Sequence, residues 1–124
     1  MTPRLEVRRL EGDPAKPPVL FLHGAWLGAW CWQDWMQSFH ARGYTVIAPS
    51  YRGHGNSGGR ERLRVTRLSE YLEDVVEVAA TLERPPVIVA HSMGGAVAQR
   101  FLELHAARAA CVVSTLHRRG CVPS

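Results

Sequence analysis

The chain has 124 residues, of which 46% are hydrophobic and 21% charged, and its formal net charge is +4. This length predicts one domain over residues 1–124, and the apolar fraction is high enough to build a core and to exclude wholesale disorder. The longest wholly apolar run, residues 109–113, is far shorter than the roughly 20 residues of a membrane-spanning helix, and no signal-peptide pattern opens the chain, so we expect a cytoplasmic protein with no membrane span.

The positive charge does not indicate a nucleic-acid partner. Lys16 is the only lysine among the 15 basic residues, and the arginines are spread along the chain. Their densest stretch, residues 60–67, alternates with Glu61, Leu63 and Val65. Nucleic-acid-binding proteins usually gather basic residues on one face or tail, often with stacking aromatic side chains. We therefore expect no nucleic-acid partner.

Neither the cysteines nor the glycines predict a metal or a cofactor. The three cysteines are odd in number and lack the short paired spacing of a zinc site or a disulfide framework. The glycine-rich residues 53–59 lack the Lys-Ser/Thr of a phosphate-binding loop and the spacing of a dinucleotide-binding motif.

Strand and helix patterns alternate along the chain. Apolar segments typical of strands occupy residues 5–10, 19–22, 44–48, 87–90 and 109–113. Helical spacing of apolar residues predicts one helix from Trp32 to Gly43, a second over residues 68–82 and a third from Val97 to Leu104, while residues 49–60 are expected to form a loop. This order predicts an α/β domain with a mainly parallel sheet flanked by helices.

A serine stands where the fourth strand meets the third helix. Ser92 lies in the run AHSMGG (residues 90–95), with the small residues Ala90 and Gly94 two positions to either side. A sharp strand-to-helix turn would lift the serine hydroxyl above the sheet and point the helix N-terminus at an oxygen that becomes negative during attack. The pattern predicts a nucleophilic serine with the Met93 N–H as an oxyanion donor.

A second pattern follows the second strand, where the chain continues His23-Gly24-Ala25-Trp26. A glycine at this place lets the backbone turn, so the Ala25 N–H would face the same site as a second oxyanion donor. Trp26, next to that donor, is a candidate to line the substrate pocket. Trp32 and Trp35 share a predicted helix face and are expected in the core.

Three motifs in this order resemble the α/β-hydrolase superfamily: LHGAW (residues 22–26), RGHGNS (residues 52–57) and AHSMGG (residues 90–95). The resemblance implies a serine esterase of the carboxylesterase or lipase type, with an elbow similar to lysophospholipase-like members, acting on a small-molecule ester or related acyl compound through an acyl-enzyme without a cofactor. It implies that Ser92 is the nucleophile and that Ala25 and Met93 supply the oxyanion N–H groups. Structural roles in the elbow and loop are implied for His23, Gly24, Ala90, His91, Gly94 and Gly95.

The chain departs from the family pattern at two positions. Ala90 replaces the commoner first glycine of the elbow, a change between small residues. Ser50 stands where the family often has Asp, so a contact that fixes the following loop is expected to differ.

The base and the acid that a serine nucleophile needs are not evident. After Ser92 the only acid is Glu103, and the only histidines are His105 and His117. His105 would lie roughly 20 Å from Ser92 at 1.5 Å per helical residue. His117 follows the last strand and is the better rival, although a solvated tail residue is the simpler interpretation. We therefore expect a fragment, a partial α/β-hydrolase fold lacking the C-terminal strands and lid, that is inactive by itself.

The alternative hypothesis is a catalytically dead remnant or binding module without the acid and histidine of the triad. In either case the strand at residues 109–113 would be an open sheet edge, which predicts self-association. Residues 117–124 are expected to form an irregular tail.

Overall fold

All five predicted strands join one sheet in the computed structural model, which describes residues 3–113. They are β1 (Val7–Leu10), β2 (Val19–Leu22), β3 (Val46–Pro49), β4 (Val87–His91) and β5 (Ala109–Val113). Their spatial order is β1-β3-β2-β4-β5, with β1 antiparallel to β3 and every other neighbouring pair parallel. The predicted α/β architecture with a mainly parallel sheet is confirmed.

Three α-helices flank the sheet: α1 (Gln33–Ala41), α2 (Leu68–Ala79) and α3 (Met93–Leu104). Two short 3-10 helices, Ala29–Trp32 and Arg60–Val65, precede α1 and α2. Sequence periodicity placed some boundaries wrongly. It extended α2 to Leu82, because Leu82 packs against the core although it lies beyond the last helical turn. It began β3 at Tyr44, whose N–H is instead bonded to the Phe39 carbonyl in the turn that ends α1.

The central strands are buried on both faces, which explains their continuous apolar sequences. One face of the sheet packs against the first 3-10 helix and α1, and its core members are Val19, Phe21, Ala29, Trp32, Met36, Val46, Ala48 and Val89. The opposite face packs against α2 and α3 and includes Leu20, Leu22, Ile47, Val75, Ile88, Val97 and Phe101. Strand residues alternate between the two faces, as the period of two requires.

The carboxyl ends of β2, β3 and β4 lie along one edge of the sheet, because these strands are parallel. That arrangement brings the segments after Leu22, Pro49 and His91 to the same place, where α/β proteins hold their ligands. Among the described residues, no helix has the length and apolar character that crossing a membrane requires. The predicted tail, residues 117–124, lies outside the described residues.

Candidate active site

Ser92 occupies a strained turn between β4 and α3. Its backbone angles are φ 55° and ψ −120°, a left-handed conformation that side chains rarely adopt. Such a conformation costs on the order of 1–3 kcal/mol and persists only where the surrounding structure imposes it. Here the strand before Ser92 is fixed between β2 and β5, and the Ser92 carbonyl accepts a hydrogen bond from the Gly95 N–H at 2.8 Å. The predicted strand–turn–helix arrangement is present.

The small residues around Ser92 allow α3 to close onto the end of β2. Ala90 is completely buried. A Cβ at Gly94 would collide with the Leu22 carbonyl oxygen and would lie 3.0 Å from the His23 carbonyl oxygen. Only glycine fits at that position, so the N-terminus of α3 lies directly beside the segment that follows β2.

Gly24 brings that segment against the serine. A Cβ built on Gly24 would lie 3.0 Å from the Ser92 Cβ and 3.2 Å from the His91 Nδ1. We call residues 23–29, which contain this contact and the predicted oxyanion donor Ala25, the oxyanion segment. Within residues 3–113, neither the Ala25 N–H nor the Met93 N–H donates a hydrogen bond. Neither N–H group is therefore used by a contact within the described part of the chain.

His23 is completely buried, and both of its ring nitrogens are engaged. Its Nε2 accepts a hydrogen bond from the Tyr51 N–H at 3.1 Å, so Nδ1 carries the proton and donates to the Gly24 carbonyl at 2.7 Å. Burial lowers the pKa of His23 from its ordinary 6.5 to about 4. The ring is thus a neutral bridge between two loops, with no nitrogen left to accept a proton from Ser92.

No histidine of residues 3–113 is hydrogen-bonded to the Ser92 hydroxyl. The His54 Nδ1 lies 3.0 Å from the Arg52 carbonyl, and the His40 Nε2 lies 2.8 Å from the Glu11 carbonyl. His105 stacks on Phe101 at a centroid distance of 4.9 Å near the far end of α3. His117 lies outside the described residues.

An ion-pair network that the sequence did not reveal holds the loop after β3. Asp74, which is 1% exposed, accepts hydrogen bonds from the Arg52 N–H and the Arg52 Nη2, both at 2.8 Å. The same guanidinium reaches Glu70 at 3.1 Å and Glu73 at 3.3 Å. Burial opposes the charge of Arg52, but the hydrogen bonds and charge of Asp74, together with the charges of Glu70 and Glu73, outweigh it and raise the pKa of the guanidinium. The sequence signal for this network was Asp74 itself, a carboxylate among the apolar residues of the buried face of α2.

The tryptophans differ from expectation in one respect. Trp32 is buried, but Trp35 is 41% exposed and covers Trp32 with an edge-to-face contact, so its prediction as a core residue was wrong. The two rings do not share one α-helical face, because Trp32 ends the first 3-10 helix whereas Trp35 lies in α1. Trp26 is 81% exposed, with a left-handed φ of 67°. An apolar cleft of about 260 Å³ lies nearby, lined by Leu27, Cys31, Trp32, Trp35, His91 and Val113.

The profile of the alpha/beta hydrolase family matches residues 19–123. The chain belongs to the alpha/beta hydrolase family. Within residues 3–113 of this alpha/beta hydrolase, no three His, Cys, Asp or Glu side chains are grouped closely enough to hold a metal ion.

Named relatives of this alpha/beta hydrolase are enzymes that act on different compounds. A monoacylglycerol lipase from Mycolicibacterium smegmatis is 40% identical over 86 residues, which cover 64% of this chain and 30% of the lipase. A carbendazim hydrolyzing esterase from a Nocardioides species is 34% identical, with 63% of this chain and 32% of the esterase covered. The thioesterase domain from the curacin biosynthetic pathway superposes with a TM-score of 0.79 at 27% identity, covering 90% of this chain and 42% of that domain. The chain spans about a third of the length of the curated relatives.

Proposed function

We propose that this protein is a serine hydrolase that cleaves carboxylic ester or related acyl bonds through an acyl-enzyme at Ser92. The observation that carries the proposal is the strained turn of Ser92, with Gly24 packed against it and the Ala25 and Met93 N–H groups unbonded alongside. A serine held at a cost in backbone strain, next to two free donors, is the arrangement expected for attack on a carbonyl.

In the proposed first step the Ser92 Oγ attacks the carbonyl carbon of the ester and loses its proton to a base. The carbonyl oxygen becomes negative and accepts hydrogen bonds from the Ala25 and Met93 N–H groups, beside the positive end of α3. The C–O bond to the leaving alcohol then breaks, and the alcohol departs with a proton. Water hydrolyses the acyl-enzyme by the same route and restores the serine.

The base and its carboxylate partner are not among residues 3–113 in this proposal, since His23 is engaged at both nitrogens and no histidine of that range is hydrogen-bonded to the Ser92 hydroxyl. Loss of these partners from a serine triad removes several orders of magnitude in rate. We therefore expect the 124-residue chain to hydrolyse esters only slowly by itself.

The proposal names a reaction class and leaves the substrate open. The relatives are named for a monoacylglycerol, for carbendazim and for the curacin biosynthetic pathway, so their names do not agree on one acyl group. Trp26 is proposed to contact substrate, because its exposed ring follows Ala25 directly and its strained backbone holds it out of the core.

Labelling with an alkyl fluorophosphonate tests the nucleophile. The Ser92 oxygen would form a bond to phosphorus while the P–F bond breaks and HF is released, and peptide mass spectrometry would locate the adduct. We expect modification of Ser92 in the parent chain and none in Ser92→Ala, with Ser38→Ala, an exposed serine on α1, as the matched control. Hydrolysis of p-nitrophenyl acetate is measured in parallel. An unlabelled Ser92 together with equal hydrolysis by the parent and Ser92→Ala would reject catalysis by this chain and favour the inactive binding module.

A further inference from the structure

The oxyanion segment is fastened at both ends by adjacent residues of the loop after β3. At its start, His23 accepts the hydrogen bond from the Tyr51 N–H at 3.1 Å. At its end, the Ala29 N–H donates to the Ser50 Oγ at 2.9 Å. All four residues are completely buried. Because Ser50 and Tyr51 are consecutive, one rigid strand end sets the position of both ends of the segment.

Glu6 orients the Ser50 hydroxyl. The Ser50 O–H donates to the Glu6 Oε1 at 2.7 Å. A hydroxyl has one proton, so this bond directs its lone pairs away from the carboxylate, where the Ala29 N–H can reach them. The same Oε1 accepts the Asn56 N–H at 3.0 Å, and the Arg8 Nε lies 3.5 Å from the Oε2. The carboxylate therefore joins β1, the glycine-rich loop and Ser50.

Three further hydrogen bonds link Glu6, Ser50 and Ser57 to one another. The Ser50 N–H donates to the Glu6 carbonyl at 2.8 Å, and the Glu6 N–H donates to the Ser57 Oγ at 2.7 Å. The Ser57 O–H in turn donates to the Ser50 carbonyl at 2.6 Å. Gly55 leaves the space that the carboxylate occupies, because a Cβ there would lie 2.5 Å from the Glu6 Oε1. The backbone of Glu6 is thus held by its own N–H and carbonyl bonds, whatever its side chain contacts.

We propose that Ser50 and Glu6 are positioning residues for the Ala25 N–H: Ser50 holds the end of the oxyanion segment, and Glu6 acts through Ser50. The inference rests on the proposed function, because only a reacting Ser92 makes the Ala25 N–H an oxyanion donor. It also explains the serine at position 50. The carboxylate expected there is supplied by Glu6, which lies 44 positions earlier in the chain.

Amide NMR of the ¹⁵N-labelled 124-residue chain tests the proposal without requiring activity. In Ser50→Ala the Ala29 N–H loses its buried acceptor, and we expect its hydrogen exchange to accelerate about tenfold or more while the Ala25 amide signal shifts. Glu6→Ala should move the same two amides by less, because Ser50 remains. The matched controls are Ser69→Ala and Glu11→Ala, at exposed positions, which should leave both amides as in the parent.

A double variant separates positioning from mere filling of space. Glu6→Ala combined with Ser50→Asp returns one carboxylate to the junction, next to the Ala29 and Asn56 N–H groups. We expect it to restore slow exchange at Ala29 and the parent signal of Ala25. If a single variant folds poorly, the double variant should also restore folding. The proposal is overturned if Ala25 is unmoved in Ser50→Ala, or if the double variant resembles the single ones. Fluorophosphonate labelling of the parent chain is scored separately: its failure would remove the proposed function while the amide result still decides the positioning.

Discussion

Ser92 lies at the carboxyl ends of the parallel strands, and the structure on its two sides differs. On the side of β2 and β3, His23 and Ser50 accept the buried hydrogen bonds that join residues 23–29 to residues 50–57. Within the second segment Ser57 bonds to the Ser50 carbonyl, and the Arg52–Asp74 pair ties that segment to α2. On the other side, β5 is the last strand within the described residues, and Ala109, Ala110 and Cys111 are exposed. One side is held in place by its own hydrogen bonds, whereas the outer edge of β5 pairs with no strand among residues 3–113.

This difference shows which loops around Ser92 are held in place by hydrogen bonds within residues 3–113. Donors that stabilise an oxyanion must be held before the reaction, since reorganising them would cost part of their benefit. In the proposed reaction the β2 and β3 side would meet that requirement with contacts made entirely among residues 3–113. The β5 side supplies no base to Ser92 from those residues. The comparison predicts large stability effects on the first side and small ones on the second.

The largest effect is expected at Asp74. Asp74→Asn removes the buried charge that faces Arg52 and should lower the free energy of unfolding by about 3 kcal/mol or more. The matched control is Glu73→Gln, because Glu73 contacts the same guanidinium but its side chain is 62% exposed. That variant should cost less than about 1 kcal/mol. Urea unfolding followed by circular dichroism measures both, and equal losses would contradict the assigned difference between the two carboxylates.

An effect of similar size is expected from pH through His23. Its pKa is about 4 in the folded chain and about 6.5 when unfolded, so the unfolded chain binds more protons between these values. The contribution of the neutral His23 to the free energy of unfolding is therefore fully present above pH 6.5. It is lost as the pH drops towards 4, by about 3 kcal/mol in total. Urea unfolding from pH 7 to pH 4.5 measures the slope.

Two variants separate His23 from the other titrating groups. His23→Gln should flatten the part of the slope above the range of carboxyl titration, whereas His40→Gln, which removes a half-buried histidine of α1, should leave it. A parent chain whose stability is constant between pH 6.5 and 5 would disprove the neutral, buried assignment of His23.

The smallest stability effect and the clearest change in association are expected at β5. Ala110→Lys places a charge on an exposed edge strand, which natural proteins use to prevent pairing between chains. It should change the free energy of unfolding by no more than about 0.5 kcal/mol, while converting self-associated chains to monomers in sedimentation velocity. Ala110→Ser is the uncharged control and should still associate. A parent chain that sediments as a single monomer at all concentrations would rule out association through this edge.

Sequence patterns predicted the elements well where the decisive information was local. The run from Val87 to Ala90, followed by Ser92 and Gly94, predicted a strand, a turn and a helix, and the structure has all three. Element boundaries were less accurate, because Tyr44 and Leu82 obey the periodicity of an element while their backbone bonds place them outside it. Trp35 shows the same limit for burial, since the apolar spacing did not reveal that Trp32 ends a 3-10 helix while Trp35 lies in α1.

What the sequence alone determined was the order of strands and helices, the family resemblance and the place of Ser92, because small residues, apolar runs and turn glycines act within a few positions of each other. The tertiary structure alone decided which side chains hold the loops. Asp74 meets Arg52 from 22 positions away, and Glu6 meets Ser50 from 44. Periodicity shows which residues share a face, but the partner opposite depends on the path of the whole chain, and so the contacts that position the oxyanion segment emerge only when the sheet is assembled.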